Sequence, residues 1–289
     1  MKKTKKLVYR VDDFGFTETY DKGAKLAFEK GIATHADVMF DAPHAVEALK
    51  WLKERPWISI GWHRHFWGSP VLAKAEVPSM VDEEGRFFWR HNAALQSEAT
   101  YEDCYKEFTA EIELCHLVAG RYPDTLFIED RGFAFDKALK TVCKEHGVHI
   151  NIISGYDAST GGQSEPGYES LKLHSLSPIK KDFNKYNYYD LAEFNNYNPK
   201  EYLMSPVWKD DETIMLFGHP GFLDDLIYKE STCNIHRLKE LAAVTDEDVI
   251  QWVIDNNVEL VSLHDVIYNT DYFQKHLAEI NSPLAIKNR

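Results

Sequence analysis

Short apolar runs alternate with stretches of helical spacing along most of the chain. The run from Leu7 to Gly15 has the composition of a strand, and apolar residues at helical spacing follow from Tyr20 to Gly31. The same alternation recurs further on, and it predicts an α/β fold in which a mainly parallel sheet has helices outside it. The predicted strands are 7–15, 34–42, 57–65, 124–130, 148–154, 213–221 and 258–265, and the predicted helices are 20–31, 43–53, 101–119, 134–146 and 246–256.

Two long stretches, about 66–92 and 155–208, interrupt this alternation. Loops of such length in a compact α/β domain are usually lids or binding loops. Both are rich in aromatic residues and the second also in asparagine, so they offer the flat faces and hydrogen-bonding edges that a sugar ring requires. A solvated insertion without a ligand explains the second stretch equally well. The candidate stacking residues are Trp67, Phe88, Trp89, Tyr186, Tyr188 and Tyr189.

The composition narrows the classes of protein that fit. The 289 residues suit a single α/β barrel domain, and 44% hydrophobic residues suffice for a sizeable core. A net charge of −13 argues against nucleic acid or an anionic membrane as the partner and favours a neutral or cationic substrate, while a homodimer stays open. The basic start lacks an apolar run long enough for export, no segment is long and apolar enough to span a bilayer, and four cysteines without a C-x-x-C pair suit reduced thiols. A cytoplasmic protein is therefore expected.

Two adjacent carboxylates, Asp12 and Asp13, stand where the first predicted strand meets a glycine turn. Neighbouring residues on a strand point to opposite faces, so both acids can serve one site only if the strand breaks there, and Phe14-Gly15 supplies the break. One carboxylate could then hold a cation while the other takes a proton from a bound water, as metal-assisted hydrolysis requires. The alternative is an acidic turn without chemistry.

Polar side chains gather at the carboxyl ends of the predicted strands, where parallel α/β folds place their active sites. His63 and His65 are two residues apart on a strand and can face the same side, and imidazole with carboxylate is a normal ligand set for zinc and other divalent ions. His219 precedes Pro220-Gly221 at another strand end, where it can protonate a leaving group or serve only as a turn residue. The other polar residues at these ends are Asp12, Asp13, Asp41, Glu129, Asp130, His264 and Asp265.

Several segments resemble the motifs of the YdjC-like carbohydrate deacetylases, the family of chitooligosaccharide and hopanoid-glucosamine deacetylases. The fold of that family is similar to the irregular seven-stranded barrel of the NodB-type polysaccharide deacetylases. The resemblance therefore implies a (β/α) barrel of this type with mainly parallel strands, and the removal of an N-acetyl group from an amino sugar or short oligosaccharide. The matching segments are Asp12–Gly15, Gly31–Thr34, Met39–Pro43, Gly61–His63, His219–Phe222 and Arg237–Leu241.

The resemblance also implies roles for single residues. Asp12 corresponds to the general base, and Asp13 and His63 correspond to ligands of one divalent metal ion, Mg²⁺ or Zn²⁺. His219 corresponds to the general acid.

The chain departs from the family pattern after the fourth predicted strand. The family usually has a histidine cluster there that supplies another ligand, but the segment 128–133 contains no histidine. The third ligand is left open between Asp130 or Glu129, at the same strand end, and His65. The departure also leaves open which metal is bound and whether the usual substrate is used.

The predicted reaction is metal-assisted hydrolysis of an N-acetyl amino sugar. In this reaction Asp12 takes a proton from the attacking water, and His219 gives a proton to the departing amine. The products are the free amino sugar and acetate. One rival is another metal hydrolase on the same barrel, such as a phosphoesterase, which requires basic residues near the site; the strand ends offer Arg64 and Arg131. The second rival is a non-catalytic sugar-binding relative that has lost its metal.

Overall fold

The strands of the described part of this protein form one sheet. In the computed structural model, the described residues are 5–64, 67–128, 130–152, 195–208, 213–231 and 233–288, together with the backbone of 163–164 and 173–176. The strands of this part of the chain are β1 (Lys5–Phe14), β2 (His35–Val38), β3 (Ser59–Trp62), β4 (Thr125–Ile128), β5 (His149–Ile152), β6 (Gln163–Ser164), β7 (Leu173–Leu176), β8 (Thr213–Gly218) and β9 (Val258–Leu260).

β1 lies in the middle of the sheet and has three partner strands. The order is β6-β5-β4-β3-β2-β1-β8-β7, and among these described pairings the β5–β6 pair is antiparallel and the others are parallel. β8 pairs along one edge of β1, whereas the other edge pairs first with β9 at residues 5–7 and then with β2 from Arg10 onward. This succession of partners places the end of β1 between β2 and β8.

Helices join the strands and pack against the outside of the sheet. Capping explains where several begin and end: Thr17 and Thr100 accept hydrogen bonds at two N-termini, and Gly120 and Gly147 end two helices with φ of +76° and +70°. None of the described helices is both long and apolar enough to cross a membrane. The α-helices are α1 (Glu18–Lys30), α2 (Ala45–Lys53), α3 (Tyr101–Ala119), α4 (Ala134–His146), α5 (Pro199–Leu203), α6 (Asp225–Glu230), α7 (His236–Val244), α8 (Glu247–Asp255), α9 (Leu263–Tyr268) and α10 (Tyr272–Glu279), beside 3₁₀ turns at Ala93–Glu98 and Ile286–Asn288.

β1 divides its side chains between two apolar regions, as strand alternation requires. Leu7 and Tyr9 belong to the main core, which also contains side chains of the surrounding helices. Val8 belongs to a smaller cluster that joins β1, β4 and β8, so the sheet curls around that cluster. Arg10 and Asp12 follow Val8 on this inner face. The inner cluster consists of Val8, Phe127, Met215, Val261 and Leu263.

The predicted α/β class with a mainly parallel sheet is confirmed, and each of the seven predicted strands has a counterpart. The stretch 155–208 contains two further short strands, β6 and β7, and the helix α5, although the sequence predicts an irregular loop there. The helix predicted to include Pro43 in its first turn begins later, at Ala45.

The last predicted strand, 258–265, is wrong in its second half. β9 ends at Leu260, and α9 begins at Leu263. Ser262 accepts a hydrogen bond from the backbone of Asp265 at 3.1 Å, and the Asp265 carboxylate accepts one from the backbone of Ser262 at 3.2 Å. This reciprocal capping starts a helix. His264 and Asp265 therefore lie on a helix and not at the end of a strand.

The aromatic residues of the stretch 66–92 mostly pack inside the protein. Trp67 is 6% exposed with its ring centroid 5.0 Å from that of Phe16, and Trp89 is 2% exposed and packs on Phe135. The prediction that these two tryptophans stack on a sugar is therefore wrong, because burying their large apolar surface fixes them in the core. Phe88 is half-buried against Trp89. The predicted stacking residues Tyr186, Tyr188 and Tyr189 lie outside the described residues.

Candidate functional site

The end of β1 brings the two acidic side chains to one region. Asp12 points to the inner face of the sheet, in step with Val8. Asp13 has left-handed backbone with φ of +59°, and the pairing with β2 shifts register between Val11 and Phe14. The strand therefore breaks at Asp13 itself, one residue before the predicted break at Phe14-Gly15, and the bulge turns this second carboxylate toward the same site.

Asp13 is buried between two positively charged groups. Its Oδ1 lies 2.9 Å from Nε2 of His63, an ion-pair distance. Arg237, which is 1% exposed, donates from Nη2 to Oδ2 of Asp13 at 2.6 Å. Burial alone would raise the pKa of Asp13, but Arg237 and His63 outweigh it and hold that pKa well below its ordinary value. The carboxylate is therefore ionised at neutral pH.

His63 follows β3 and lies between two carboxylates. Nδ1 is 3.0 Å from Oδ2 of Asp37 on β2, on the side of the ring opposite to Asp13. Burial lowers the pKa of His63, but the contacts with Asp13 and Asp37 raise it to about 10. Without a metal ion the imidazole therefore carries a proton on each nitrogen at neutral pH.

Asp12 is held by Arg10 from the same face of β1. Nη2 of Arg10 donates to Oδ2 of Asp12 at 2.8 Å, and Nε lies 2.6 Å from Oδ1. Nη1 of the same arginine is 3.6 Å from Oδ2 of Asp37. Acids and cations thus alternate through the site, and we call this series the charge chain: Asp12, Arg10, Asp37, His63, Asp13 and Arg237.

His219 follows β8, and Glu240 on α7 holds it from behind. The backbone N–H of His219 donates to Oε2 of Glu240, and Nδ1 of the ring is 3.8 Å from the same oxygen. The Tyr197 hydroxyl donates to the other oxygen of Glu240 at 2.6 Å. Burial lowers the pKa of His219 to about 4, although the nearby Asp13 opposes the shift. The imidazole is therefore neutral in the resting site near pH 7.

Four residues of this arrangement were not singled out by the sequence: Arg10, Asp37, Arg237 and Glu240. Arg237 and Glu240 lie three apart on α7, so one helix face supplies the partners of both Asp13 and His219. Their segment contributed to the family resemblance without a role for either residue. The two-residue spacing of Arg10 and Asp12 on a strand was the available signal that they share a face.

The structure does not bring Asp130 together with the metal-ligand candidates. Its Oδ2 pairs with Nζ of Lys140 on α4 at 2.7 Å, and its Oδ1 accepts from the backbone of Gly132 at 3.0 Å. These contacts turn the carboxylate toward α4, so they lend no support to its predicted role as the third ligand. His65 and Glu129 lie outside the described residues.

Two other predicted strand-end residues belong to different surroundings. Asp41 is buried with Glu107 and Glu111 of α3, and we call these three residues the acid cluster. His264 contacts Asp124 at 2.6 Å, and Asp124 precedes β4, at the amino end of that strand. Neither His264 nor Asp265, which caps α9, contributes to the charge chain.

The donor set at Asp13 and His63 fits a divalent ion. Two ligands about 2.1 Å from one metal ion are roughly 3 Å apart when they are neighbours in its coordination shell, close to the 2.9 Å between Asp13 Oδ1 and His63 Nε2. Asp13 Oδ1 is buried and its near partner is Nε2 of His63, so both atoms can turn to a cation once His63 releases its proton. Asp12, Asp37 and His63 also place one ligand atom each within 4.8 Å of one another. Arg10 contacts both oxygens of Asp12 and also Asp37, whereas Arg237 contacts Oδ2 of Asp13 and leaves Oδ1 facing His63, so the group around Arg10 is the poorer metal site.

Curated relatives match nearly the whole chain. A carbohydrate deacetylase of Enterococcus faecalis is 25% identical over 263 residues, which cover 89% of this chain and 97% of the relative. A carbohydrate deacetylase of Clostridium beijerinckii is 26% identical over 268 residues, which cover 90% of this chain and 100% of the relative.

A solved structure has the same fold. It is a protein of Enterococcus faecalis named for cellobiose-phosphate cleavage, and it superposes with a TM-score of 0.69 at 21% sequence identity, covering 92% of this chain and 100% of its own. The family described as YdjC-like protein matches residues 6–255. This chain belongs to the YdjC-like protein family.

Proposed function

We propose that this protein is a metal-dependent carbohydrate deacetylase that removes the N-acetyl group of an amino sugar or short oligosaccharide. The observation that carries the proposal is the pair of ligand atoms, Asp13 Oδ1 and His63 Nε2, beside a second carboxylate, Asp12, at the carboxyl end of a parallel sheet. Family membership and the deacetylase names of the curated relatives support it.

Asp13 and His63 are the protein ligands of the proposed ion. When bound, a divalent ion such as Mg²⁺ or Zn²⁺ lowers the pKa of the attacking water and polarises the acetyl carbonyl. Arg237 holds the second oxygen of Asp13 and so orients the first toward the site. Asp37 contacts the other ring nitrogen of His63, Nδ1, through its Oδ2.

Asp12 is the proposed general base. Arg10 contacts both of its oxygens and fixes the plane of the carboxylate, while burial excludes bulk water from it. A base that is already held in one orientation loses no conformational entropy when it takes the proton of the attacking water. Replacing Arg10 should therefore lower turnover more than it weakens substrate binding.

His219 is the proposed general acid. In the resting site burial keeps its imidazole neutral, with a pKa lowered to about 4. Attack on the acetyl carbon creates a negative charge nearby, and a nearby anion favours the protonated imidazole. Asp12 gives up the proton that it took from the water, the neutral His219 takes one up, and His219 passes it to the departing amine, so the proton count closes with acetate as the second product. The contact of its backbone with Glu240 keeps the ring in place during both transfers.

A non-catalytic sugar-binding protein is the second candidate. One observation favours it: the charge chain neutralises its own charges when His63 is protonated, so the site is electrically balanced without a metal. A phosphoesterase is a weaker candidate, since Arg10 and Arg237 are both engaged by carboxylates. Elemental analysis of the purified protein separates the deacetylase from the sugar-binding protein, because a protein with no affinity for added Mg²⁺ or Zn²⁺ fits the binding function.

The test is acetate release from N-acetylglucosamine and short chitooligosaccharides by protein loaded with Mg²⁺ or Zn²⁺. We expect Asp13→Asn and His63→Ala each to lose at least about 100-fold in rate, because a metal ion supplies several kcal/mol of transition-state stabilisation. His264→Ala is the matched control, since that histidine also contacts an aspartate but lies outside the charge chain. Full activity of both site variants would overturn the assignment.

A further inference from the structure

Asp37 is a buried acid in the middle of the site to which the family resemblance assigned no role. It lies on β2 with 1% of its surface exposed. Its Oδ2 is 3.0 Å from Nδ1 of His63 and 3.6 Å from Nη1 of Arg10, and its Oδ1 is 3.3 Å from Nε2 of His35. Three basic side chains from β1, β2 and the end of β3 thus converge on this carboxylate.

The contact with His63 determines which ring nitrogen is available. An ionised carboxylate only accepts hydrogen bonds, so Nδ1 of His63 must keep its proton to bind Asp37. Nε2, on the side of Asp13, is then the nitrogen that can offer a lone pair. Histidines that bind metal ions commonly donate their other N–H to a carboxylate, which fixes both the tautomer and the orientation of the ring.

The sheet has a space built for the Asp37 carboxylate. Asp37 is paired with Gly61 in the register between β2 and β3. A Cβ atom added at Gly61 would lie 1.7 Å from Asp37 Oδ1 and 2.5 Å from His35 Nε2. A side chain at this position would therefore displace the carboxylate, because a gap below 3.0 Å forces a neighbour to move. Glycine here is required by close approach, and the approaching group is Asp37.

Asp37 also reaches the proposed base. Arg10 lies between Asp37 and Asp12, with contacts of 3.6 Å to the first and 2.6 and 2.8 Å to the second. Movement of Asp37 would therefore disturb the ligand His63 directly and Asp12 through Arg10.

We propose that Asp37 is a positioning residue of the metal centre, which holds His63 with Nδ1 protonated and Nε2 directed at the ion, and which braces Arg10 behind Asp12. This inference rests on the proposed function. It extends that function by a residue that neither binds the ion nor meets the substrate.

The test compares Asp37→Asn with Asp124→Asn. Asp124 is a matched control, because it is also a buried aspartate against Nδ1 of a histidine, His264, outside the charge chain. Titration of the apo-protein with Zn²⁺ against a chromophoric chelator should show binding about 10–100-fold weaker for Asp37→Asn than for native protein. The control should bind within about 3-fold of native protein. Circular dichroism establishes that each variant is folded.

A second measurement follows the ring itself. Nitrogen-15 NMR of histidine-labelled, zinc-loaded protein should show His63 protonated at Nδ1 in native protein and in Asp124→Asn. Asp37→Asn should show a smaller share of this tautomer, because a neutral amide oxygen is a weaker acceptor than a carboxylate and the amide nitrogen can donate to Nδ1 instead. Equal zinc affinity and an unchanged tautomer in Asp37→Asn would overturn the inference while leaving the metal site intact. Native protein that binds neither Zn²⁺ nor Mg²⁺ would instead overturn the proposed function, and the inference with it.

A variant at Gly61 covers the case in which Asp37→Asn does not fold. Gly61→Ala keeps every charged group but places a methyl group against Asp37. Weaker zinc binding in the folded Gly61→Ala protein supports the inference. Native affinity in that protein, with the His63 tautomer unchanged, contradicts it.

Discussion

Two groups of buried carboxylates in this protein behave in opposite ways. In the charge chain, burial would raise the pKa of Asp13 and of Asp37, but the neighbouring arginines and His63 lower both. In the acid cluster, burial raises the pKa of Asp41 to about 6 and that of Glu107 to about 7, and it raises that of Glu111 well above its ordinary value. Both groups are buried, so burial alone does not decide their charge.

The difference lies in the partners. Carboxylates of the charge chain contact guanidinium and imidazolium groups, whose full charges offset the loss of water. In the acid cluster the partners are neutral N–H groups: Glu107 accepts from the backbone of Val71 and Leu72 at 2.6 and 3.0 Å, and Glu111 from the Trp62 indole at 2.6 Å. The bonds of Glu107 attach the segment at Val71 and Leu72 to α3. They carry no full positive charge, so these acids can hold protons near neutral pH.

The largest expected effect comes from removing a cation of the charge chain. Arg237→Met takes one of two cations from the buried Asp13 carboxylate and leaves it with His63, and breaking a buried pair in this way costs about 3–5 kcal/mol of unfolding free energy. Urea unfolding of the metal-free protein measures it. Lys22→Met is the contrast, because its pair with Glu18 is exposed and its loss should leave the unfolding free energy almost unchanged.

A double variant shows whether the unpaired charge is the cause. Arg237→Met combined with Asp13→Asn removes the charge together with its partner, so it should be more stable than Arg237→Met alone. No recovery in the double variant would mean that the arginine acts through its packing on Tyr20 and not through its charge.

The next effect is the pH dependence of the acid cluster. A pKa of about 7 for Glu107 in the folded protein exceeds the ordinary value of 4.5, so its contribution to stability is complete below pH 4.5 and is lost as the pH rises through 7. Glu111→Gln removes the neighbouring acid and should reduce this loss between pH 5 and 7 by on the order of 2 kcal/mol.

The quantity to measure is the difference in unfolding free energy between native protein and Glu111→Gln as a function of pH, because this difference isolates the acid cluster. Groups outside the acid cluster that titrate in this range contribute equally to native protein and to Glu111→Gln. Parallel curves from pH 5 to 7 would contradict the raised pKa values of Glu107 and Glu111.

The metal affinity should also depend on pH. A pKa of about 10 means that His63 must release a proton before Nε2 can bind an ion. Zinc affinity should therefore rise about tenfold for each pH unit from 6 to 8, which is about 1.4 kcal/mol per unit. Calorimetry in buffers of different ionisation enthalpy should find about one proton released per ion, and a pH-independent affinity would contradict the protonated resting state.

The pattern of the sequence predicted the strands well but some of their ends badly. The predicted strand 258–265 ran through a Ser-x-x-Asp cap, since Val258 to Val261 and Leu263 look alike in an apolar count. Trp67 and Trp89 were predicted to bind a ligand because they lie in an irregular stretch, and an irregular backbone can still carry side chains into the core.

For the acidic pair, Asp12 and Asp13, the sequence could predict the local backbone but not the distant partner. The break in β1 could be expected because alternation and the following glycine are local properties. The partner of Asp13 could not, because Arg237 is 224 residues away in the chain and no local pattern joins the two.

The sequence by itself determined the alternation of strands and helices, the parallel sheet and the strand end at which Asp12 and Asp13 stand. These follow from the periods of two and 3.6 residues and from turn chemistry, which act over a few neighbouring residues. The tertiary structure alone decided which acids are ionised and which hold protons. A pKa depends on burial and on charges within a few ångströms, and in this protein those charges come from β1, β2, β3 and α7 together.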